Sequence, residues 1–417
     1  MAERVLLGIG TKKGLFVAEA ARNRKKFELR GPFGAGVGVN AVAIDTRGTP
    51  RVFASSCNAF FGMKVLRSTD LGKRFKETKS APAFPKDDGR ALANIWSIEP
   101  GETKKELWAG VEPASLFRSG DGGDSWEMVP GISNHDHARK WFPGNGGLCM
   151  HTIIRDGKRM HLGISTGGHY LSEDGGNTFA PSNQGIGAGF VPDPYPEFGQ
   201  CVHKIARHDD APGRLYIQNH GGWDERPGIG VLRSDDHGKT WRSIAKGLPS
   251  DFGFPIVVHP HDPDTVYVMP LEGQTRTCPG GAPAVWRSED GGDSWSKLTR
   301  GLPKKQSWFT VLRDAMSVDT LKSPALYFGT TTGQVWMGRD GGEQWECVFD
   351  ALPPVHCVKV AVVIPTGRPA LSPCARSRAR RPSAARGASA SERRSGRCTG
   401  RRTPRTRAAR PWCRAGA

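Results

Sequence analysis

Ser119–Trp126 reads SGDGGDSW, and the same octapeptide returns along the chain. Ser172–Phe179 is SEDGGNTF, Ser234–Trp241 is SDDHGKTW and Ser288–Trp295 is SEDGGDSW. Ser68–Phe75 (STDLGKRF) and Gly338–Trp345 (GRDGGEQW) are degenerate copies. The central aspartates are Asp70, Asp121, Asp174, Asp236, Asp290 and Asp340, spaced 51, 53, 62, 54 and 50 residues apart. A period of about fifty residues fits a propeller with four strands per unit. The octapeptide fits a hairpin turn. Its carboxylate can accept backbone N–H groups, its glycines supply positive φ, its hydroxyls bond locally, and its terminal Trp or Phe opens the next strand and can be buried between units. A carboxylate that recurs from unit to unit has a structural role before a catalytic one.

Four strands, a to d, are predicted in each unit, with the octapeptide between c and d. In the unit ending at Trp241, strand a lies near 200–206, b near 214–219, c near 230–233, and d starts at Thr240. The N-terminal VLLGIGTKKGLFVAEA and KFELRGP align with LYFGTTTGQVWMGRD and QWECVFD of the last unit. Phe27 then takes the place of Trp345, and the first unit lacks strand a. VHCVKVAVVI at 355–364 can supply it, closing the ring and leaving no exposed edge. The expectation is an all-β, seven-bladed β-propeller of four antiparallel strands per blade. It is one domain over residues 1–364, with its first blade closed by the C-terminal strand.

Residues 365–417 form an Arg-rich tail. From Arg368 onward it holds 15 of the chain's 59 basic residues and one of its 41 acids, so the rest carries 44 and 40. The net charge of +18 therefore belongs mostly to the tail, and the propeller offers no broad basic face for nucleic acid. The tail has no Ile, Val, Phe or Tyr and is expected to be disordered. It is either a basic arm for an anionic partner such as nucleic acid or a non-native C-terminus. No apolar run reaches the roughly 18 residues of a membrane helix, and Met1–Gly10 reads as a strand rather than a signal peptide, so the expected location is cytoplasmic with no membrane partner. Nine cysteines without a C-x-x-C pair argue against a disulfide framework or zinc knuckle.

The octapeptides resemble the Asp-box, or BNR, repeat of sialidases, sortilin-type receptors and photosystem assembly factors, over roughly residues 1–364. The chain resembles the bacterial YVTN/BNR-repeat, sialidase-like propellers often labelled glycosyl hydrolase or exo-α-sialidase. That resemblance implies that the Asp-boxes lie on the face opposite the ligand site. It does not extend to sialidase chemistry. The family's Arg-Ile-Pro motif is absent, and no trio of arginines is evident. Arg313 is the best single arginine, and of five tyrosines only Tyr195 falls in a loop of the site face, two residues from Glu197.

The d–a and b–c loops should therefore carry the site. Carboxylates placed there are Glu112, Glu197, Asp251, Glu272 and Asp314, of which a suitably spaced pair would serve glycoside hydrolysis. With Arg313 they form the candidate catalytic set. His151, His203, His220, Asn219 and Tyr195 are candidate ligand-binding groups. Two adjacent units share a C-x-H pattern, Cys149/His151 and Cys201/His203, whose side chains fall on one side of a strand. These four could bind a divalent metal such as Zn²⁺, or the repeat could reuse one packing solution with each His bonded to a neighbouring loop. No other cofactor is implied.

Two functions stay open. One is a sugar-acting enzyme, a glycosidase-type hydrolase, or a glycan-binding propeller for a carbohydrate or other small polar ligand. The other is a non-catalytic scaffold or assembly factor that binds a protein or peptide. The first predicts a polar pocket where His151, His203, Glu197 and Arg313 converge. The second predicts an apolar mouth with Phe60, Phe61, Trp223 and Phe252 exposed.

Overall fold

Five of the six octapeptides build one and the same turn. The hydroxyls of Ser68, Ser119, Ser172, Ser234 and Ser288 donate to the central Asp at 2.7–2.9 Å and accept the N–H of the Gly two residues beyond it at 2.7–3.0 Å. The Asp then accepts the N–H four residues on at 2.9–3.0 Å. In four turns its second oxygen takes a Ser or Thr hydroxyl, and in the Asp70 turn it takes Arg74 Nε. The residue after the Asp is left-handed, with φ +86° at Gly122 and +61° even where it is Leu71 or His237. The sixth copy departs from this pattern because Gly338 brings no hydroxyl. There Asp340 itself turns left-handed, at φ +51°, and accepts the hydroxyl of Ser323 at 2.6 Å.

The computed structural model describes residues 2–58, 62–221 and 228–364. The tail and the loop residues Phe60, Phe61 and Trp223 lie outside the described residues. The turns join strands into seven antiparallel four-stranded sheets arranged as a propeller. Blade 1 runs, from the inside outward, Val355–Val363, Arg4–Thr11, Gly14–Ala21 and Phe27–Phe33. Its closing strand pairs with Arg4–Thr11 over their whole length. The innermost strands of blades 2 to 7 are Val42–Asp45, Asn94–Pro100, Met150–Asp156, Val202–Arg207, Gly253–Val258 and Met316–Val318. Each packs on the next around the ring, and Val355–Val363 sits between the last and the first of them.

The expected strands are present, with small shifts at their ends. In blade 5 they are Val202–Arg207, Leu215–Asn219, Val231–Ser234 and Arg242–Ser243. In this blade the outermost strand starts one residue after the aromatic that ends the octapeptide. Phe179, Trp241 and Trp345 are buried, and Trp126 and Trp295 pack against the core at partial exposure. The core lies in the seams between blades, where Tyr267 and Leu298 of blade 6 meet Phe328 and Trp345 of blade 7 in one apolar cluster. Burial of this kind is the main force holding one blade to the next. Among the described residues no helix is long and apolar enough to cross a membrane.

Candidate functional site

Four consecutive innermost strands carry a register shift where they enter the sheet. The shifts fall at Trp96 in blade 3, His151 in blade 4, His203 in blade 5 and Phe254–Pro255 in blade 6. A bulge leaves a residue out of the ladder and re-aims its side chain, a device common beside binding sites. The four side chains are thus equivalent positions of the repeat, presented at one end of the channel. Trp96, His203 and Phe254 line a cavity of about 1220 Å³ there. His151 instead turns into the seam toward blade 5, where Nε2 meets the Val202 carbonyl at 2.8 Å and Nδ1 meets the Thr152 hydroxyl at 3.0 Å.

The cavity wall comes from d–a and b–c loops. Phe142–Gly147, Gly189, Phe190, Arg313 and Asp314 come from the former, and Ser165, Thr166, His220, Gly221, Gly273, Gln274 and Arg276 from the latter. No residue of the octapeptide turns lines it. One hydrogen-bonded chain fixes the indole of Trp96. Asn40 donates to Asn94 at 2.9 Å, Asn94 donates to Glu112 at 3.3 Å, and Trp96 Nε1 donates to the same carboxylate at 2.8 Å. The Arg313 guanidinium stands 5.4 Å from the Trp96 ring centre and 6.0 Å from that of Phe254, with Nη1 3.2 Å from Cys149 Sγ. Such stacking orients a cation while leaving its edges able to bond.

The structure separates the sequence candidates into groups. Arg313, Asp314, Cys201, His203 and His220 line the cavity. Glu112 stands behind Gly147, close enough that a Cβ there would meet its carboxylate at 2.2 Å. Asp251 accepts the N–H groups of Gly228 and Gly230 at 2.8 and 3.0 Å and so braces the neighbouring b–c loop, whereas Glu272 accepts Gly280 N–H at 3.0 Å and the Thr275 hydroxyl at 3.1 Å within its own loop. Asn219 is buried and donates to the Gly187 and Ile229 carbonyls, each at 2.9 Å. Glu197 is exposed with its carboxylate 3.9 Å from His137, and Tyr195 is exposed; neither lines the cavity. Cys149 is buried, with Sγ 3.4 Å from the Ser165 hydroxyl. Phe252 is buried against His203 and His220. Of the four groups expected to converge in a polar pocket, His203 and Arg313 line the cavity, whereas His151 and Glu197 do not.

Of the named carboxylates, Asp314 alone is in the cavity wall, and it is engaged. Lys204 Nζ lies 2.5 Å from its Oδ1 and Lys359 Nζ 3.7 Å away, while Lys359 also reaches Glu99 at 3.9 Å. Burial by itself would raise the Asp314 pKa, but the two ammonium groups win and hold it at about 2. Burial pushes Glu99 up. These four charges come from the inner strands or strand entries of four blades and meet in the channel. The sequence reading did not single out Lys204, Lys359, Glu99, Trp96 or Phe254. The available signal was the column of strand entries, in which Trp96 and Phe254 align with His151 and His203, and a lysine inside each of two inner strands.

Burial also sets the protonation of the cavity histidines. It depresses His220 to about 4 and His203 well below the usual range, with Arg313 adding to the effect at His203. Both rings are neutral at neutral pH. Burial pushes the thiols of Cys149 and Cys201 up.

Fold and site together define a seven-bladed propeller with a ligand-sized cavity at the channel mouth, on the face away from the octapeptide turns. No protein-family model matches the sequence. The chain is 25% identical over 330 residues to a xyloglucanase of Paenibacillus sp, covering 70% of this chain and 29% of that protein. It is 23% identical over 282 residues to an oligoxyloglucan-reducing end-specific xyloglucanase of Emericella nidulans, covering 60% and 32%. Among solved structures it is similar to the GH74 xyloglucanase from Xanthomonas campestris, with a TM-score of 0.55, 18% identity, and coverage of 85% of this chain and 52% of that one. The chain thus spans less than a third of the curated relatives it matches. It is similar, at low identity, to proteins named as xyloglucanases, and its likeness to the solved structure is one of fold.

Proposed function

We propose that the cavity binds an oligosaccharide, of the xyloglucan type that the relatives' names point to. The observation that carries this reading is the cavity itself. At about 1220 Å³ it exceeds the roughly 300–1,000 Å³ of ordinary small-molecule sites, which suits an extended ligand. Its lining mixes a fixed indole, Trp96, and the rings of Phe142, Phe190 and Phe254 with the amides of Asn40, Asn145 and Gln274 and the guanidinium of Arg313. Aromatic faces for the apolar side of a sugar ring, beside donors and acceptors for its hydroxyls, are what such a ligand needs. Binding is better supported than hydrolysis by two carboxylates, since Asp314 is held between lysines and Glu112 is occupied with Trp96 and Asn94.

Calorimetric titration with xyloglucan and cello-oligosaccharides tests this. Trp96→Ala is expected to weaken binding at least tenfold, while a change on the turn face, such as Asp236→Ala, leaves it intact. Absence of binding by any oligosaccharide at millimolar concentration refutes the reading.

A further inference from the structure

We propose that Cys201, His203 and His220 form a Zn²⁺ site in the cavity wall, with a fourth position open to the cavity. One ligand atom from each lies within 4.8 Å of the others, and all three residues line the cavity. Three N/S ligands on one Zn²⁺, at roughly 2.0–2.3 Å, stand about 3.3–3.8 Å apart. Closing the trio on an ion therefore takes side-chain movement on the order of an ångström.

Two further features point the same way. The first is the tautomer of His203. Its Nδ1 lies 2.6 Å from the Gly253 carbonyl, which can only accept, so Nδ1 carries the proton and Nε2 the lone pair. A ring nitrogen fixed in this manner is the usual outer support of a metal-bound histidine. His151, the equivalent residue one blade earlier, uses both nitrogens on protein partners, which is why the repeat yields a ligand in blade 5 and a packing residue in blade 4. The second is the backbone. The His220 N–H donates to the Cys201 carbonyl at 3.0 Å, tying the b–c loop to the entry of the inner strand. The rings of His203 and His220 sit edge to face at 5.2 Å.

One thiolate with two neutral imidazoles suits Zn²⁺, and three protein ligands with an open fourth position is the pattern of reactive rather than structural zinc sites. The open position would take an oxygen donor, from water or from a ligand in the cavity. The site stands independently of the oligosaccharide reading.

The test uses the full chain, stripped with a chelator and reloaded with Zn²⁺ or with Co²⁺ as a spectroscopic substitute. The expected result is one Zn²⁺ per chain and, with Co²⁺, a thiolate-to-metal charge-transfer band in the near ultraviolet. Cys201→Ser removes the band, His220→Gln weakens Zn²⁺ binding at least a hundredfold, and Cys149→Ser changes neither. Circular dichroism confirms that each variant is folded, and if Cys201→Ser is not, His220→Gln and His203→Gln carry the test. Overturning results are a chain that takes up no stoichiometric metal, a band that survives in Cys201→Ser or is lost in Cys149→Ser, or undiminished affinity in the histidine variants.

Discussion

The turn face and the channel hold aspartates at the same low pKa for opposite reasons. In the turns, Asp121, Asp174, Asp236 and Asp290 are held at about 2 by hydroxyl and amide donors at the protein surface. For Asp121 the largest cause is the Ser125 hydroxyl. In the channel, Asp314 reaches about 2 only because two lysine charges overcome a burial that works against it. The turn carboxylate is satisfied by its own octapeptide, so it can be copied from blade to blade. The channel carboxylate depends on Lys204 and Lys359 from two other blades, and one of its oxygens, Oδ2, is buried without a hydrogen-bond partner among the described residues. Self-contained chemistry repeats; chemistry assembled across blades does not.

The largest effect should come from breaking the assembled side. Lys204→Met leaves Asp314 buried with only the more distant Lys359, and about 3 kcal/mol of stability should be lost at pH 7, read from denaturant unfolding. The Asp314 pKa should then rise from its wild-type value, since only Lys359 still opposes burial. A carboxyl whose folded pKa is raised is relieved by protonation, so this variant should regain part of its loss as the pH falls toward 4. A variant that loses less than 0.5 kcal/mol would show that the channel charges are solvated after all.

The repeated side should yield less. Asp236→Ala removes the acceptor of the amide of Lys239 and of the amide and hydroxyl of Thr240, and about 1–2 kcal/mol is expected in the same assay. As with Lys204→Met, the loss relative to the wild type shrinks as the pH falls, but here because the wild type gives up its own contribution. With a folded pKa near 2 against 3.8, the contribution of Asp236 is complete above about pH 4 and disappears as the pH falls to about 2. The wild-type minus Asp236→Ala difference should therefore vanish near pH 2. The smallest effect belongs to Asp340→Ala, within about 0.5 kcal/mol, because that turn lacks the serine and the Asp serves one hydroxyl from Ser323. Equal losses at Asp236 and Asp340 would mean that the hydroxyl–carboxylate pair contributes nothing.

The same distinction governs what could be read from the chain. The octapeptides made blade number, strand order and closure by residues 355–364 legible, because each turn is encoded within eight consecutive residues. The site was legible only in part. Arg313, Asp314, Cys201, His203 and His220 are in the cavity wall, yet Glu197 and Tyr195 point elsewhere although they share a loop with cavity residues. Loop direction is set by contacts with other loops, which no local pattern records. His151 and His203 sit in the same C-x-H pattern, and what separates them is which ring nitrogen faces the next blade's carbonyl. Lys204 carries a charge whose meaning appears only once blades 1, 3, 5 and 7 meet around the channel.

The closing strand has a consequence for how the molecule is made. Arg4–Thr11 leaves the ribosome well before its partner Val355–Val363, which follows some 350 residues later. Until then the first blade has a bare inner edge, and the ring cannot lock. At roughly 5–20 residues per second, that interval lasts tens of seconds, during which the nascent chain offers an unpaired strand to any neighbour. Closure of this propeller thus waits for the synthesis of Val355–Val363, and the first blade is the last to be finished.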